Sequence, residues 1–155
     1  RIFASRIGNA ADETVEQNKV YERIIGLDDY IRFKRFAVRV NQSKDDLVRL
    51  LTNCKNEGKK VISYGATSKS TTIFNYCGIG PDLIQYITDT TPEKQGKVSP
   101  GMHIPVISPE QGFHENVDYA YLGAWNFINE IKEKESEWIK GGGKFISHVP
   151  IVRFV

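Results

Sequence analysis

Cysteine is scarce in this sequence, and metal-ligand patterns are missing. Of the 155 residues, only Cys54 and Cys77 are cysteines. Two cysteines provide no disulfide framework, and neither has a partner at the spacing that a metal site requires. A chain of this length buries enough surface to fold without such crosslinks. We therefore expect two reduced thiols in or near the core, as is usual in the cytoplasm.

Strong charge and long apolar runs are also missing. The 21 basic and 19 acidic residues leave a net charge of +2, whereas a dedicated nucleic-acid-binding protein usually carries a strongly basic face. No apolar run approaches the roughly 20 residues that a membrane-spanning helix needs, and we find no signal-peptide pattern. We expect a cytoplasmic chain that binds neither nucleic acid nor membranes.

The sequence has a single methionine, Met102, and it begins with Arg1. We therefore expect the chain to be a piece of a longer protein. Residues 1–42 are interpreted as a connector from an upstream domain: residues 1–27 as a weakly amphipathic helix, and Tyr30–Val40, which alternates apolar and basic residues, as a short strand or extended linker. Residues 43–155 are predicted to form the compact domain.

Short apolar strands alternate with helices in this compact domain. Ser43 and Asp46 resemble a capping box at the start of its first helix, which Gly58 would end. The strands are predicted at Lys60–Tyr64, Leu83–Thr88, Ile104–Ile107, Tyr119–Leu122 and Lys144–Ser147. The helices are predicted at Ser70–Tyr76, after Ser108, and at Asn126–Lys140, where Phe127, Ile131 and Trp138 form one stripe. This alternation predicts an α/β, Rossmann-like fold, with helices on both faces of a doubly wound, mainly parallel sheet.

Ligands of such sheets bind beyond the carboxyl ends of the strands, and the turn at Tyr64–Thr72 has the composition of an anion site. Gly65 lets the backbone turn sharply, and Ala66, Thr67 and Ser68 are small. The free amides of the next helix and the charge of Lys69 attract phosphate or carboxylate. The alternative is a tight turn with a solvated lysine.

Two familiar nucleotide loops do not match this turn. The nucleoside triphosphate loop has glycine directly before its lysine, where this sequence has Ser68. The dinucleotide motif has three spaced glycines, of which only Gly65 is present. The turn therefore supports neither ATP hydrolysis nor a standard NAD site.

Further candidate residues follow the next strands. Asp89 occupies the position that often binds ribose hydroxyls, although it can equally cap its strand or the turn at Pro92. After it comes a loop rich in glycine, proline and polar residues that includes Lys94 and His103; the histidine is either a proton shuttle or a structural residue. Trp125 and Asn126 follow the fourth strand and fit either ligand stacking or core packing and a helix cap.

These motifs, in this order, resemble the carboxy-terminal domain of sugar C-methyltransferases. The resemblance is carried by Gly65–Thr72, Asn75–Ile79, Asp89, Lys94–Gly96, Pro100–Val106 and Ala124–Asn126. It covers residues 47–155. Ser68 and Ser70 depart from the family pattern, which has a small residue and a glycine beside the lysine.

The resemblance implies a larger enzyme with an amino-terminal zinc-binding domain and a middle domain that binds S-adenosylmethionine. Enzymes of this family methylate a carbon of a nucleotide-linked deoxyketosugar, by proton abstraction beside the keto group and attack of the enolate on the methyl group. The implied cofactor and catalytic base belong to the upstream domain, so we expect no cofactor, metal or catalytic residue in this chain.

For this domain, the resemblance implies a role in binding the nucleotide sugar. The implied substrate-binding residues are Gly65, Ala66, Thr67, Ser68, Lys69, Asp89, Lys94, His103, Trp125 and Asn126. Two alternatives remain open: a nucleotide- or phosphate-binding domain of an oxidoreductase or epimerase, and a non-catalytic interaction domain.

Overall fold

The computed structural model describes residues 12–113 and 116–155. They belong to two compact units, one that ends at Val40 and one that spans Asn41–Val155. In the first unit, helix α1 (Glu13–Ile24) begins after Asp12, whose carboxylate accepts a hydrogen bond from the Thr14 amide. No residue of α1 is buried. This agrees with the weak helix that the sequence predicts.

Helix α2 (Tyr30–Asn56) replaces the extended segment predicted for Tyr30–Val40, and this prediction was wrong. The predicted capping box at Ser43 and Asp46 was also wrong, because both residues lie inside α2. No glycine or proline interrupts the sequence from Tyr30 to Asn56, and the Asp29 carboxylate accepts a hydrogen bond from the Ile31 amide at the helix start. Apolar and basic side chains alternate there because both kinds are exposed: Phe33 and Phe36 are each 56% accessible.

The second unit contains the predicted doubly wound sheet. Its strands are β1 (Val61–Tyr64), β2 (Ile87–Thr88), β3 (Val106–Ile107), β4 (Tyr119–Leu122), β5 (Lys144–Ser147) and β6 (Arg153–Phe154). Within the described residues they form one sheet in the order β3-β2-β1-β4-β5-β6. All neighbours are parallel except β5 and β6. The five predicted strands are present, β2 and β3 being shorter than predicted.

Helices cover both faces of this sheet. They are the part of α2 that lies in this unit, α3 (Ser68–Cys77), α4 (Pro109–Gly112), α5 (Ile128–Lys134) and α6 (Ser136–Lys140). On one face, Val61 and Tyr121 pack in a core with Leu51 of α2 and Phe74 of α3. On the other face, the core includes Ile62, Ala120 and Phe145 of the sheet, Ile131 of α5 and the partly buried Trp138 of α6. Burial on both faces explains why the strands are apolar without alternation.

The predicted helix Asn126–Lys140 is wrong in its continuity. A single 3-10 turn (Trp125–Phe127) precedes α5, and the helix is interrupted at Glu135, between α5 and α6. The break lets the Glu135 carboxylate accept a hydrogen bond of 2.6 Å from the Tyr64 hydroxyl. Burial, and then this bond, raise the pKa of Tyr64. Phe127 is 51% exposed, so the predicted apolar stripe holds only for Ile131 and Trp138.

Both cysteines lie in helices as free thiols, Cys54 in α2 and Cys77 in α3, in agreement with the sequence prediction. Across residues 12–113 and 116–155, none of the helices combines the length and hydrophobicity that crossing a membrane requires. His114, for which the sequence indicates no metal site with His103, lies outside the described residues.

Candidate ligand cleft at the carboxyl ends of the strands

The amino terminus of α3 is built by the turn that the sequence singles out. Gly65 has a φ of 92°, a conformation that favours glycine, and directs the chain away from β1. Thr67 caps α3: its hydroxyl accepts a hydrogen bond from the Ser70 amide, and the Ser70 hydroxyl accepts one from the Thr67 amide. The helix therefore begins at Ser68, two residues earlier than predicted. Among the described residues, the amides of Ser68 and Lys69 have no hydrogen-bond acceptor, so they can donate to an anion.

A cleft of about 570 Å³ lies between this helix terminus and the segment that follows β2. We call it the cleft; it is lined by Ala66, Thr67, Ser68, Thr71, Thr72, Glu93, Lys94, Lys97, Val98, Ser99, Pro100 and Val106. Four of the predicted site residues meet here, namely Ala66, Thr67, Ser68 and Lys94. The hydroxyl groups of α3 and the lysines form its polar part, while Val98, Pro100 and Val106 supply apolar surface.

Asp89 joins the two sides of the cleft from beneath. One carboxylate oxygen accepts hydrogen bonds from the Ala66 amide at 2.8 Å and the Lys94 ammonium at 3.1 Å. The other accepts from the Thr91 amide at 2.8 Å. Burial acts to raise the pKa of Asp89, but the hydrogen bonds from Thr91, Lys94 and Ala66 outweigh it and lower the pKa. This geometry is that of a structural cap, and a contact with ribose stays a prediction.

Lys69, Trp125 and Asn126 are also brought together, but none of them is a lining residue of the cleft. The Lys69 ammonium donates a hydrogen bond of 2.7 Å to the Asn126 side-chain oxygen and lies 5.1 Å from the centre of the Trp125 ring. This trio lies at the β1–β4 boundary, where the helical connections change faces and doubly wound sheets commonly bind ligands.

The chain itself fills that boundary. Thr67 donates a side-chain hydrogen bond to the Gly123 carbonyl, and the Gly123 amide donates to the Tyr64 carbonyl. A Cβ on Gly123 would lie only 2.9 Å from the Gly65 carbonyl oxygen. Because the two loops pack this closely, the open space is displaced toward β2.

The predicted His103 is set apart from these groups. It is exposed, has a φ of 53°, and its amide donates to the Ser99 carbonyl. It is not among the residues that line the cleft. The structure therefore gives His103 a place in the turn, and its proposed proton transfer stays a prediction.

Sequence reasoning missed His148, which lies beside Trp125. Its Nδ1 is 2.8 Å from the Tyr121 hydroxyl, its ring meets the Trp125 ring edge-on at 4.9 Å, and burial lowers its pKa. The register that pairs Tyr121 with Ile146 puts His148, two residues further on, toward the same face. It also missed cleft residues such as Thr71, Thr72 and Lys97. Helical spacing from Thr67 and Ser68 was the available signal for the two threonines.

Comparison with known proteins gives two matches. Residues 1–150 match the model of the family described as C-methyltransferase C-terminal domain. The chain is also similar to the C-methyltransferase NovU of Streptomyces niveus, at 37% identity over 134 residues. That alignment covers 86% of this chain and 32% of NovU, so the chain spans about a third of the length of this relative. The chain belongs to the C-methyltransferase C-terminal domain family.

Proposed function

We propose that this chain is the substrate-binding domain of an S-adenosylmethionine-dependent methyltransferase that acts on a nucleotide-linked deoxyketosugar. The family and the similarity to NovU support the methyltransferase assignment. The observation that carries the binding role is the cleft between the amino terminus of α3 and the segment after β2. We also propose that the whole enzyme is cytoplasmic and supplies the methyl donor from an upstream domain.

The cleft has the groups that a sugar diphosphate needs. The Ser68 amide, which has no hydrogen-bond acceptor among the described residues, lies at the positive end of a helix dipole, which favours phosphate oxygens. Thr71 and Thr72 also line the cleft, where their hydroxyl groups can form hydrogen bonds with sugar hydroxyls. The apolar surface at Val98 suits the flat face of a base or sugar. The volume of about 570 Å³ lies within the usual range for small-molecule sites.

Asp89, at the usual nucleoside position of such folds, is not free to bind the methyl donor. An acidic residue at the end of β2 is the usual partner of a nucleoside ribose in doubly wound folds. Here that residue, Asp89, is 8% exposed and already accepts hydrogen bonds from Thr91, Lys94 and Ala66. We therefore assign the methyl donor and the catalytic base to the upstream domain, and no step of methyl transfer to this chain.

The exposed apolar side chains of the first unit support the proposal of an upstream partner domain. Val20, Tyr21 and Ile24 of α1 are at least 53% accessible, and Phe33 and Phe36 of α2 are each 56% accessible. Apolar side chains in such number on one short segment are typical of a surface that another domain covers. Residues 1–42 remain, in this proposal, the connector to that domain.

A charge substitution at Ser68 tests the proposal. Ser68→Asp places a negative charge in the first turn of α3, where it stabilises the helix but repels phosphate. We expect the wild-type chain to be stabilised against thermal unfolding by a thymidine, uridine, cytidine or guanosine diphosphate sugar. We expect Ser68→Asp to abolish that shift without lowering the unfolding midpoint of the free protein.

The neutral variant Ser68→Asn is the matched control, and we expect it to retain most of the ligand-induced shift. If none of the four classes of nucleotide sugar protects the wild-type chain, the proposed binding role is wrong, and the exposed loops favour an interaction domain. Protection by NAD instead would favour the oxidoreductase or epimerase alternative.

A further inference from the structure

Three lysines lie at or next to the cleft, and the structure gives them different roles. Lys94 and Lys97 line the cleft, while Lys69 lies on the first turn of α3. A phosphate group attracts any of them through its charge, but a lysine whose ammonium already bonds to the protein has fewer N–H donors left for a ligand. The partners of each side chain therefore decide which one is free to bind a ligand.

Lys94 is held by the protein itself. Its ammonium donates to the Ala66 carbonyl at 2.9 Å and to the Asp89 carboxylate at 3.1 Å. The carboxylate compensates the lysine charge, and the bond to Ala66 fixes the turn that precedes α3. Lys94 thus positions the wall of the cleft, and removing it would leave a buried carboxylate without its cation.

Lys69 is engaged on the other side of α3. Its ammonium bonds to Asn126 and lies over the face of Trp125. A cation in this position gains from the ring quadrupole as well as from the hydrogen bond. Drawing it toward the cleft would sacrifice both contacts.

Lys97 has a fixed backbone and a free side chain. Its amide donates to the Lys94 carbonyl at 3.2 Å, and its carbonyl accepts from the Val106 amide at 2.8 Å. The adjoining Val98 forms an isolated bridge with Pro105 that holds the same segment. Within residues 12–113 and 116–155, the Lys97 ammonium has no ion pair and no side-chain hydrogen bond.

From this comparison we infer that Lys97 is the cation that binds the pyrophosphate of the nucleotide sugar, while Lys94 is a positioning residue. This inference rests on the proposed function for the identity of the ligand. Glu93 lines the same cleft, and its carboxylate opposes the approach of an anion. Lys97 and Glu93 therefore act on the affinity in opposite directions.

Titration calorimetry with thymidine diphosphate, uridine diphosphate and inorganic pyrophosphate tests this assignment. We expect Lys97→Ala to weaken binding about tenfold or more, since a charge-assisted hydrogen bond is lost. Lys97→Arg should retain affinity, because guanidinium also binds phosphate. Glu93→Gln should strengthen binding about twofold to threefold at low salt, and all of these differences should shrink at high salt.

Lys55→Ala is the matched control. Lys55 is a 52% exposed lysine of α2 whose ion pair is with Asp82, and it does not line the cleft. Its loss removes the same unit of charge from the molecule, so affinity within about twofold of wild type shows that the effect of Lys97 is local. Equal losses in Lys97→Ala and Lys55→Ala would contradict the inference.

The inference and the proposed function fail in different ways. If wild type binds the nucleoside diphosphates and Lys97→Ala binds them equally well, Lys97 does not bind the pyrophosphate, and the proposed function stands. If a larger loss occurs in Lys69→Ala than in Lys97→Ala, the anion binds at the Trp125 side and the inference is wrong. If only inorganic pyrophosphate binds, in a manner that depends on Lys97, the anion site stands and the nucleotide-sugar assignment falls.

Discussion

At the scale of single residues, Asp89 shows how one side chain can shape a site without contacting a ligand. Its carboxylate bonds to the turn before α3, to the turn after β2, and to Lys94. These three bonds link segments that are separated along the chain but adjacent at the carboxyl edge of the sheet. The shape of the cleft therefore depends on a residue that is 8% exposed.

Asp89→Asn should destabilise the domain by about 2 kcal/mol at pH 6. The asparagine side chain cannot replace the charged bond to Lys94, and its NH₂ group would face the N–H donors that surround the carboxylate. The pKa of Asp89 is lowered from 3.8 in the folded state. Its contribution is therefore present in full above that ordinary value and lost as pH falls through the folded pKa. Urea unfolding of both proteins should show a smaller difference at pH 3 than at pH 6.

Asp82→Asn provides the comparison for this measurement. Asp82 pairs with Lys55 at 3.5 Å, but its side chain is 64% exposed. Exposed pairs of this kind contribute about 0–1 kcal/mol. A loss of stability as large as that in Asp89→Asn would show that burial is not the source of the effect.

At the scale of elements, the junction between α3 and the segment at Pro100 depends on a close approach. The Asn75 side-chain amide donates to the carbonyls of Thr71 and Pro100. Gly101 has a φ of 82°, and a Cβ there would lie 1.8 Å from the Asn75 side-chain oxygen. The amide of Asn75 can occupy this position only because residue 101 has no side chain.

Gly101→Ala should cost about 2 kcal/mol, through the strained backbone and the displaced Asn75 amide. Gly96→Ala is the control in the same segment, since Gly96 has a φ of 74° and open space around it. It should cost about 1 kcal/mol, from backbone strain alone. Thermal or urea unfolding measures both, and equal costs would show that the contact with Asn75 has no energetic effect.

The strands were predicted correctly because the sheet buries their apolar residues. Ile62, Ala120 and Phe145 lie in strands that were predicted because burial on both faces leaves them apolar throughout. Tyr30–Val40 was misassigned because its helix exposes its apolar side chains, so periodicity relative to a core was missing. The break at Glu135 was not predictable either, since it accompanies a hydrogen bond to Tyr64, which is far away in the sequence.

The candidate site was also predictable only in part. The turn at Gly65–Ser68 carries its own signal, because a strand, a glycine and a helix start are consecutive in the chain. No sequence signal distinguishes Lys69 from Lys97, because the difference depends on the contacts of the Lys69 ammonium with Asn126 and Trp125. The role of Asp89 was left open between a cap and a ribose ligand, and only its three-dimensional partners favour the cap.

At the scale of the whole molecule, the division at Val40 and Asn41 predicts an independently folding unit. A protein that consists of residues 41–155 should unfold cooperatively, with a midpoint within about 5 °C of the full chain, because the cores on both faces of the sheet are retained. It retains the three buried residues of α2, namely Leu47, Leu51 and Cys54. Calorimetry of the two proteins measures the difference.

A second truncation makes this test specific. Residues 58–155 lack all of α2, and with it Leu47 and Leu51, which are 1% and 0% exposed. Loss of two such side chains removes several kcal/mol of apolar burial, so we expect this protein not to fold. If both truncated proteins unfold alike, α2 is not part of the compact unit, and the boundary lies elsewhere.

The hydrogen bonds of Asp89 and Lys94 to Ala66 have a consequence for the rate at which a ligand is captured. They fix the turn before α3 in the free protein, so little chain entropy remains to be lost when a ligand arrives. Association should then be a single bimolecular step whose observed rate rises linearly with ligand concentration and does not saturate. Asp89→Asn would release the turn, and capture would then include a slower ordering step.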